Sequence, residues 1–483
     1  MIRYRAIALI LSQFLFVLAA MMLIPLGYGY FTSLDGVWEI GAAALVTTVS
    51  GIVFWLISSP IERDLTQREG LLLVVATWTV IPFFGCLPLY FSPQFPSFTD
   101  AFFEATSGFT TTGATVLTHI ESLPKPLHLW RSFSHWLGGM GIVLLGIAIL
   151  PLVGHGGMHL YRAEFSGAKS EKLKPRIVET AIALGKIYLC LSLAAFLMLR
   201  MLGMSYFDAI CHTFSVVATG GFSTRDTSIA SFSSPAIEYA LIFFMLLSAM
   251  SFVQHYRFWV ERRPGSAWKD IEIRFFLSLI GAGVLLLTIL LMASDGRAFA
   301  SAFRSALFQI SSIATGTGFT TENFALWHPF AQLMLLALMF AGGCTGSTAG
   351  GLKISRVLLL TRVVGREFKR MVERRAVFAV RLGNTVIPET AIQSLLNLVY
   401  IAFFINFISC MLLTAMGVDV FTAIAAVAAS MFNVGPGLGS VGPAESYAHL
   451  PTLAKWVLAF CMIAGRLEFY TVLVIFTPSF WRK

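Results

Sequence analysis

One stretch of this chain constrains its fold more than any other, because it occurs four times. DAFFEATSGFTTTG runs from Asp100 to Gly113, DAICHTFSVVATGG from Asp208 to Gly221, SALFQISSIATGTG from Ser305 to Gly318, and TAIAAVAASMFNVG from Thr422 to Gly435. Each copy opens on a small oxygen-bearing residue, continues with alanine and closes on glycine at the same distance. A recurrence this long is not a solenoid period, so it marks four copies of a whole supersecondary unit. Asp, Ser or Thr at the start suits a helix N-cap, which predicts short helices beginning at Asp100, Asp208, Ser305 and Thr422. About ten residues of helix span about 15 Å, too short for a bilayer core of about 30 Å. The closing runs TTTG, ATGG, TGTG and FNVG suit left-handed or extended backbone. A short helix aims the negative end of its dipole toward such a run, and four ends about one axis favour a cation. Rings of backbone carbonyls that replace a hydration shell are how potassium filters are built. A single copy on its own would read as a re-entrant helix ending in a glycine turn.

The surrounding composition is that of a membrane protein. Of 483 residues, 57% are hydrophobic and 12% charged, against about 25% charged in soluble domains. The fold class expected is an all-α polytopic membrane protein of ten spans. Ala6–Phe31 and Val37–Ser58 come first, followed by four units of span, short helix, glycine run and span. The paired spans are Gly70–Phe91 with His128–Val153, Glu179–Gly203 with Ala236–Val260, Glu272–Ala293 with Ala325–Val363, and Pro388–Met416 with Thr452–Thr477. The divisions are 1–60, 61–165, 166–262, 263–383 and 384–483. With both termini cytosolic, the cytosolic segments take most of the Lys and Arg, as the positive-inside rule requires. The net charge of +9 is then a topology signal rather than a nucleic-acid footprint. The basic run Arg362–Arg381 is a cytosolic extension that suits anionic lipid headgroups or a docked partner.

Two segments do not fit plain spans. Ala325–Val363 would be about 58 Å long as a helix, and near its middle stands AGGCTGSTAGG, Ala341–Gly351, with five glycines. Non-helical backbone at membrane depth is tolerated where it lines a cavity or is buried in protein. A flexible intramembrane loop is the reading, with a tight small-residue helix crossing as the alternative. Arg466 lies near the middle of the last span, where a cation costs at least about 2.5 kcal/mol and so should face water or a partner. A place below the filter and a structural ion pair are both open to it. GLGSVG from Gly437 follows no strand, so a dinucleotide fingerprint fails its context. The six cysteines lack CxxC spacing, and His119, His135 and His212 lack a ligand pattern, so no catalytic group and no cofactor is expected.

The fourfold plan, the TTTG, ATGG, TGTG and NVG runs, the glycine-rich break and the arginine together resemble the Trk/Ktr/HKT potassium transporters. With two extra N-terminal spans, the chain looks most like the membrane subunit of bacterial Trk uptake. The resemblance implies a filter at Thr110, Thr111, Thr112 and Gly113, at Thr219, Gly220 and Gly221, at Gly316, Thr317 and Gly318, and at Asn433, Val434 and Gly435. Glycine at all four closing positions goes with potassium preference. The family's intramembrane gate maps onto Gly342, Gly343, Thr345, Gly346, Ser347, Thr348, Gly350 and Gly351, and its pore arginine onto Arg466. Also implied are a homodimer in the bacterial inner membrane, a cytosolic nucleotide-binding subunit of the TrkA type, and potassium as substrate. Asn433 and Val434 depart from Thr111 and Thr112, which puts strict fourfold symmetry of the ion sites in doubt. The functional expectation is potassium uptake through a gated, channel-like pore. The alternatives are a symporter coupled to protons or sodium and, from another class, an intramembrane enzyme or signalling scaffold.

Overall fold

The computed structural model describes residues 2–32, 35–60, 65–149, 173–263, 265–383 and 385–482. The end of the expected span His128–Val153 and the expected division at 165 lie outside these residues. Among the described residues the chain is mostly helical, with one hairpin of two-residue strands pairing Arg381–Leu382 with Thr385–Val386.

Two classes of helix divide the work. Long apolar helices stand on the outside: Tyr4–Thr32, Val37–Leu56, Gln67–Gly85, Leu173–Met201, Ile271–Asp295 and Glu389–Ala415. Their outward faces expose large apolar side chains, as Tyr400, Phe403, Phe404, Phe407 and Met411 do on the last. A protein that leaves so much apolar surface uncovered is made for lipid contact. Among the described residues six helices are long and apolar enough to cross a membrane, or up to eight when two bent pairs are each taken as one span. Gln67–Gly85 begins with a capping box in which Thr66 and Glu69 satisfy each other's backbone N–H groups, and Glu69 also pairs with Arg3 at 2.8 Å. That contact joins the N-terminal helix pair to the start of the repeats.

The short helices form the interior. They run Phe98–Phe109, Tyr206–Val217, Phe299–Ala314 and Val420–Met431. In the first, every residue from Asp100 to Phe109 is buried, and in the last so is every residue from Ala425 to Met431. A helix buried all round must be enclosed by others. The expected starts need correction. The N-caps are Ser97, Ser205 and Asp419, whose side chains accept from the backbone N–H groups of Asp100, Asp208 and Thr422. The recurring residues therefore occupy the third helical position, where an acid suits the positive helix end. The third copy has Ala298 at its cap, and its helix of 16 residues starts before Ser305.

Two expected spans are also corrected, because neither is straight. Ala236–Val260 is broken between Pro235–Ala249 and Phe252–Trp259 by a bend of 99°. Thr452–Thr477 turns by 112° after Arg466, at a point where Glu468 and Phe469 both take positive φ. Ala325–Val363 divides as its glycines predict. Pro329–Met339 is helical, the loop follows, and Ile354–Val372 resumes the helix.

Candidate functional site

The four short helices end in the same way. The backbone N–H groups of Thr111, Thr219, Gly316 and Asn433 donate to the carbonyls three residues back, at 3.0, 3.1, 3.0 and 3.3 Å. The next N–H in each run, from Thr112, Gly220, Thr317 and Val434, donates five residues back, to Ser107, Ser215, Ser312 and Ala429, at 2.8, 2.8, 2.9 and 2.8 Å. This is a Schellman termination, which needs a left-handed residue just past the helix. The first residue of each pair supplies it, with φ of 54, 53, 68 and 55°. Threonine and asparagine hold that conformation at three of the four positions, although glycine is the usual choice. Thr110 is the C-cap of the first helix, and its hydroxyl bonds that of Thr112 at 2.7 Å.

Two residues later the chain turns left-handed again at Gly113, Gly221, Gly318 and Gly435, with φ of 85, 83, 81 and 99°. What surrounds each glycine orders the four runs. A Cβ at Gly113 would strike the carbonyl oxygen of Gly220, one at Gly221 that of Thr317, and one at Gly318 that of Val434. One at Gly435 would lie 2.6 Å from the carbonyl oxygen of Thr112. The contacts run from first copy to second, third, fourth and back to the first, so the runs close into a ring with no room for a side chain between neighbours. All four glycines border one cavity of about 520 Å³. The backbone is fourfold where the side chains are not: Asn433 Nδ2 donates to the Thr112 hydroxyl at 2.9 Å and to the Met462 carbonyl at 3.1 Å.

The glycine-rich loop Gly342–Gly351 lies against the ring on the side nearer the short helices. A Cβ at Gly350 would come 2.5 Å from the Phe432 carbonyl and 2.9 Å from Asn433 Cβ, and the Thr348 hydroxyl is 3.4 Å from that of Thr219. Thr348 Oγ1 donates to the Val217 carbonyl at 3.1 Å and to the Ser248 carbonyl at 3.2 Å. The loop is folded back on itself, since a Cβ at Gly342 would strike the Gly350 carbonyl and one at Gly351 would lie 2.5 Å from Gly342 Cα. A helix crossing through small residues is thereby excluded, because this backbone is not helical. The loop is anchored by Gly346, whose carbonyl accepts from Phe252 N–H at 3.0 Å. Ser347 donates within the loop, to the Cys344 carbonyl at 2.6 Å.

Arg466 reaches this loop. Its Nη1 donates to the Thr348 carbonyl at 2.9 Å, while Nε and Nη2 are buried without a hydrogen-bond partner among the described residues. It makes no ion pair with a described carboxylate. Glu468 turns away at the bend and pairs with Arg356 at 2.5 Å. An unpaired buried guanidinium is costly, and among the described residues the loop carbonyl of Thr348 is its hydrogen-bond acceptor. Of the two readings of Arg466, the ion pair is the one the geometry does not support.

Several residues escaped the sequence reading. Glu272 Oε1 accepts from Thr345 N–H at 2.7 Å, the Thr345 hydroxyl at 3.1 Å and Ser355 N–H at 3.0 Å, so it ties both ends of the loop to the helix Ile271–Asp295. Tyr447 donates its hydroxyl to the Gly435 carbonyl at 2.8 Å. At the cavity rim Asp208 pairs with Arg225 at 3.1 Å. Burial alone would raise its carboxyl, but hydrogen bonds from Thr224 and Ser205 and the charge of Arg225 bring it below its ordinary value. Among the described residues no group of three His, Cys, Asp or Glu side chains could hold a metal.

The family model TrkH, described as a cation transport protein, matches residues 40–483. The chain belongs to the TrkH family. It is 40% identical over 485 residues to the Trk system potassium uptake protein TrkH of Salmonella typhimurium, covering 99% of this chain and 100% of the relative. The Vibrio parahaemolyticus TrkH is 42% identical, with 99% of each chain covered. The crystal structure of the potassium transporter TrkH from Vibrio parahaemolyticus superposes with a TM-score of 0.92 at 38% identity, over 100% of both chains. This TrkH-family chain is a multi-pass membrane protein of a transport family, not of an enzyme family.

Proposed function

We propose that this chain takes up potassium across the bacterial inner membrane through a gated, selective, channel-like pore. The observation that carries the reading is the closed ring of contacts from Gly113 to Gly220, Gly221 to Thr317, Gly318 to Val434 and Gly435 to Thr112. Four runs with alternating backbone handedness meet at one cavity, each at the carbonyl end of a buried short helix, which suits a dehydrated cation. Thr110, Thr111, Thr112, Thr219, Gly220, Gly316, Thr317, Asn433 and Val434 serve with the four glycines as the filter. Relatives of 40% identity over the full chain carry the name Trk system potassium uptake protein.

The glycine-rich loop and Arg466 form the gate. The loop obstructs the path below the filter, and the arginine adds an electrostatic barrier while holding Thr348. None of the filter residues is titratable, which favours conduction over obligatory proton coupling. The architecture is ten spans, two N-terminal and four pairs around the pore, with both termini cytosolic and the ring toward the outside. Two copies assemble as a homodimer, each with its own pore, and a cytosolic nucleotide-binding subunit of the TrkA type acts on the loop. Purified protein in liposomes tests the activity by comparing uptake of potassium, rubidium, sodium and lithium. Rubidium and potassium should enter well ahead of sodium and lithium. Equal uptake of all four would contradict the filter.

A further inference from the structure

Behind the ring lies a buried ion pair that the pore chemistry above does not use. Glu104, on the helix Phe98–Phe109, and Arg131, on Lys125–Ile149, meet at 2.5 Å with side chains 0% and 2% exposed. Both carboxylate oxygens are engaged. Oε1 also accepts from the Thr115 hydroxyl at 2.9 Å, and Oε2 from Val116 N–H at 2.8 Å. Thr115 and Val116 follow closely after Gly113. The arginine faces the other way as well: its Nη1 donates to the Ser223 carbonyl at 3.1 Å, and its guanidinium lies 3.6 Å over the Phe222 ring. Phe222 and Ser223 directly follow Gly221.

The position of Glu104 recurs in the other copies as His212, Gln309 and Ala426. His212 Nε2 is 3.0 Å from the Ser223 hydroxyl, and Gln309 donates to the Thr321 hydroxyl at 3.2 Å. In three copies this residue therefore braces the segment leaving its own glycine, and Ala426 cannot. In the first copy the brace is extended by a cation to the neighbouring copy.

We propose that the Glu104–Arg131 pair is a positioning device that sets potassium-over-sodium discrimination, by fixing the first and second runs to each other from behind. The proposal rests on reading the ring as the filter. A carboxylate that accepts three bonds and a planar guanidinium that bridges and stacks leave little freedom to either run. A ring of carbonyls selects between cations of different size only while its spacing holds. Arg131 also borders the cavity in front of the ring, where Glu104 cancels its charge. A cation left unpaired there would oppose potassium entry.

The test uses bi-ionic potassium/sodium reversal potentials of full-length protein in liposomes, beginning with the wild type. A wild type without potassium preference refutes the proposed filter itself and is thereby told apart from failure of the present inference. With a selective wild type, Arg131→Lys keeps the charge but loses the fork and the stack, and its permeability ratio should fall about tenfold, the change expected when about one hydrogen bond's worth of discrimination is lost. Glu104→Gln should lower the ratio and also slow potassium flux, because Arg131 is left unbalanced. The double variant Glu104→Gln with Arg131→Gln should recover flux and not selectivity. If the Gln variants fail to fold, Arg131→Lys and Thr115→Val carry the same readout. Lowered melting temperature with an unchanged ratio in folded variants would make the pair merely structural and overturn the proposal.

Discussion

Removing the Arg466 charge should open the pore electrically. The guanidinium bonds the Thr348 carbonyl at 2.9 Å, and the Thr348 hydroxyl is 3.4 Å from Thr219, so an ion just below the ring passes within about 6–8 Å of the charge. At an effective dielectric near 20 the repulsion is about 2–3 kcal/mol, which slows passage by about 30- to 100-fold. Losing the bond to Thr348 also loosens the loop, and both effects act in the same direction. Arg466→Gln and Arg466→Ala should therefore raise rubidium uptake into liposomes by about one to two orders of magnitude, less where cavity water screens the charge. Selectivity should be kept, since no ring residue is touched. Each variant is to be compared with wild type for oligomeric state and melting temperature before flux is measured. Well-folded protein whose uptake does not exceed wild type would refute the electrostatic barrier.

Three further outcomes follow from the same geometry. Gly113→Ser places a side chain where a Cβ meets the Gly220 carbonyl, at φ 85°. It should lower the potassium-to-sodium permeability ratio by displacing one run, and an unchanged ratio would count against the ring. Glu272→Ala strands the N–H groups of Thr345 and Ser355, at about 1–3 kcal/mol for each buried donor. Basal rubidium uptake should rise in liposomes lacking any cytosolic partner, whereas unchanged uptake by stable protein would remove Glu272 from the gate. Asp208 has its carboxyl depressed in the folded protein, so the stability it contributes is present above its ordinary value of 3.8 and is lost as pH falls through the lower folded value. Asp208→Asn should lower the melting temperature at neutral pH, with the gap to wild type closing in acid; a gap independent of pH would sink the assignment.

The parts of this architecture that were legible in the sequence are those set by local backbone chemistry. Glycines at equal distances after four buried helices announced left-handed turns. A long apolar segment interrupted by AGGCTGSTAGG announced a break. The parts that were not legible depend on partners distant in sequence. Ala236–Val260 has the hydropathy of a single span, yet it bends because Phe252 N–H finds the Gly346 carbonyl of another repeat. Thr452–Thr477 bends after Arg466, where Phe469 N–H returns to the Ala464 carbonyl at 2.8 Å and closes the helix without a glycine to signal it. Three of the four N-caps were misplaced by three residues because Ser97 and Asp100, Ser205 and Asp208, or Asp419 and Thr422 are equally good oxygen acceptors for the N–H groups of a helix start. Glu104 and Glu272 were visible as acids within or beside apolar helices. Their partners, Arg131 and the loop ends at Thr345 and Ser355, come into reach only in the folded chain.

The central claim is that potassium moves down its own gradient through a ring of backbone carbonyls, and the most direct measurement is the reversal potential of purified protein under opposed potassium and proton gradients. The account predicts a reversal potential that follows the potassium gradient and does not move when the proton gradient is changed or inverted. A potential that shifts with the proton gradient at fixed potassium would contradict it and would establish coupled transport instead.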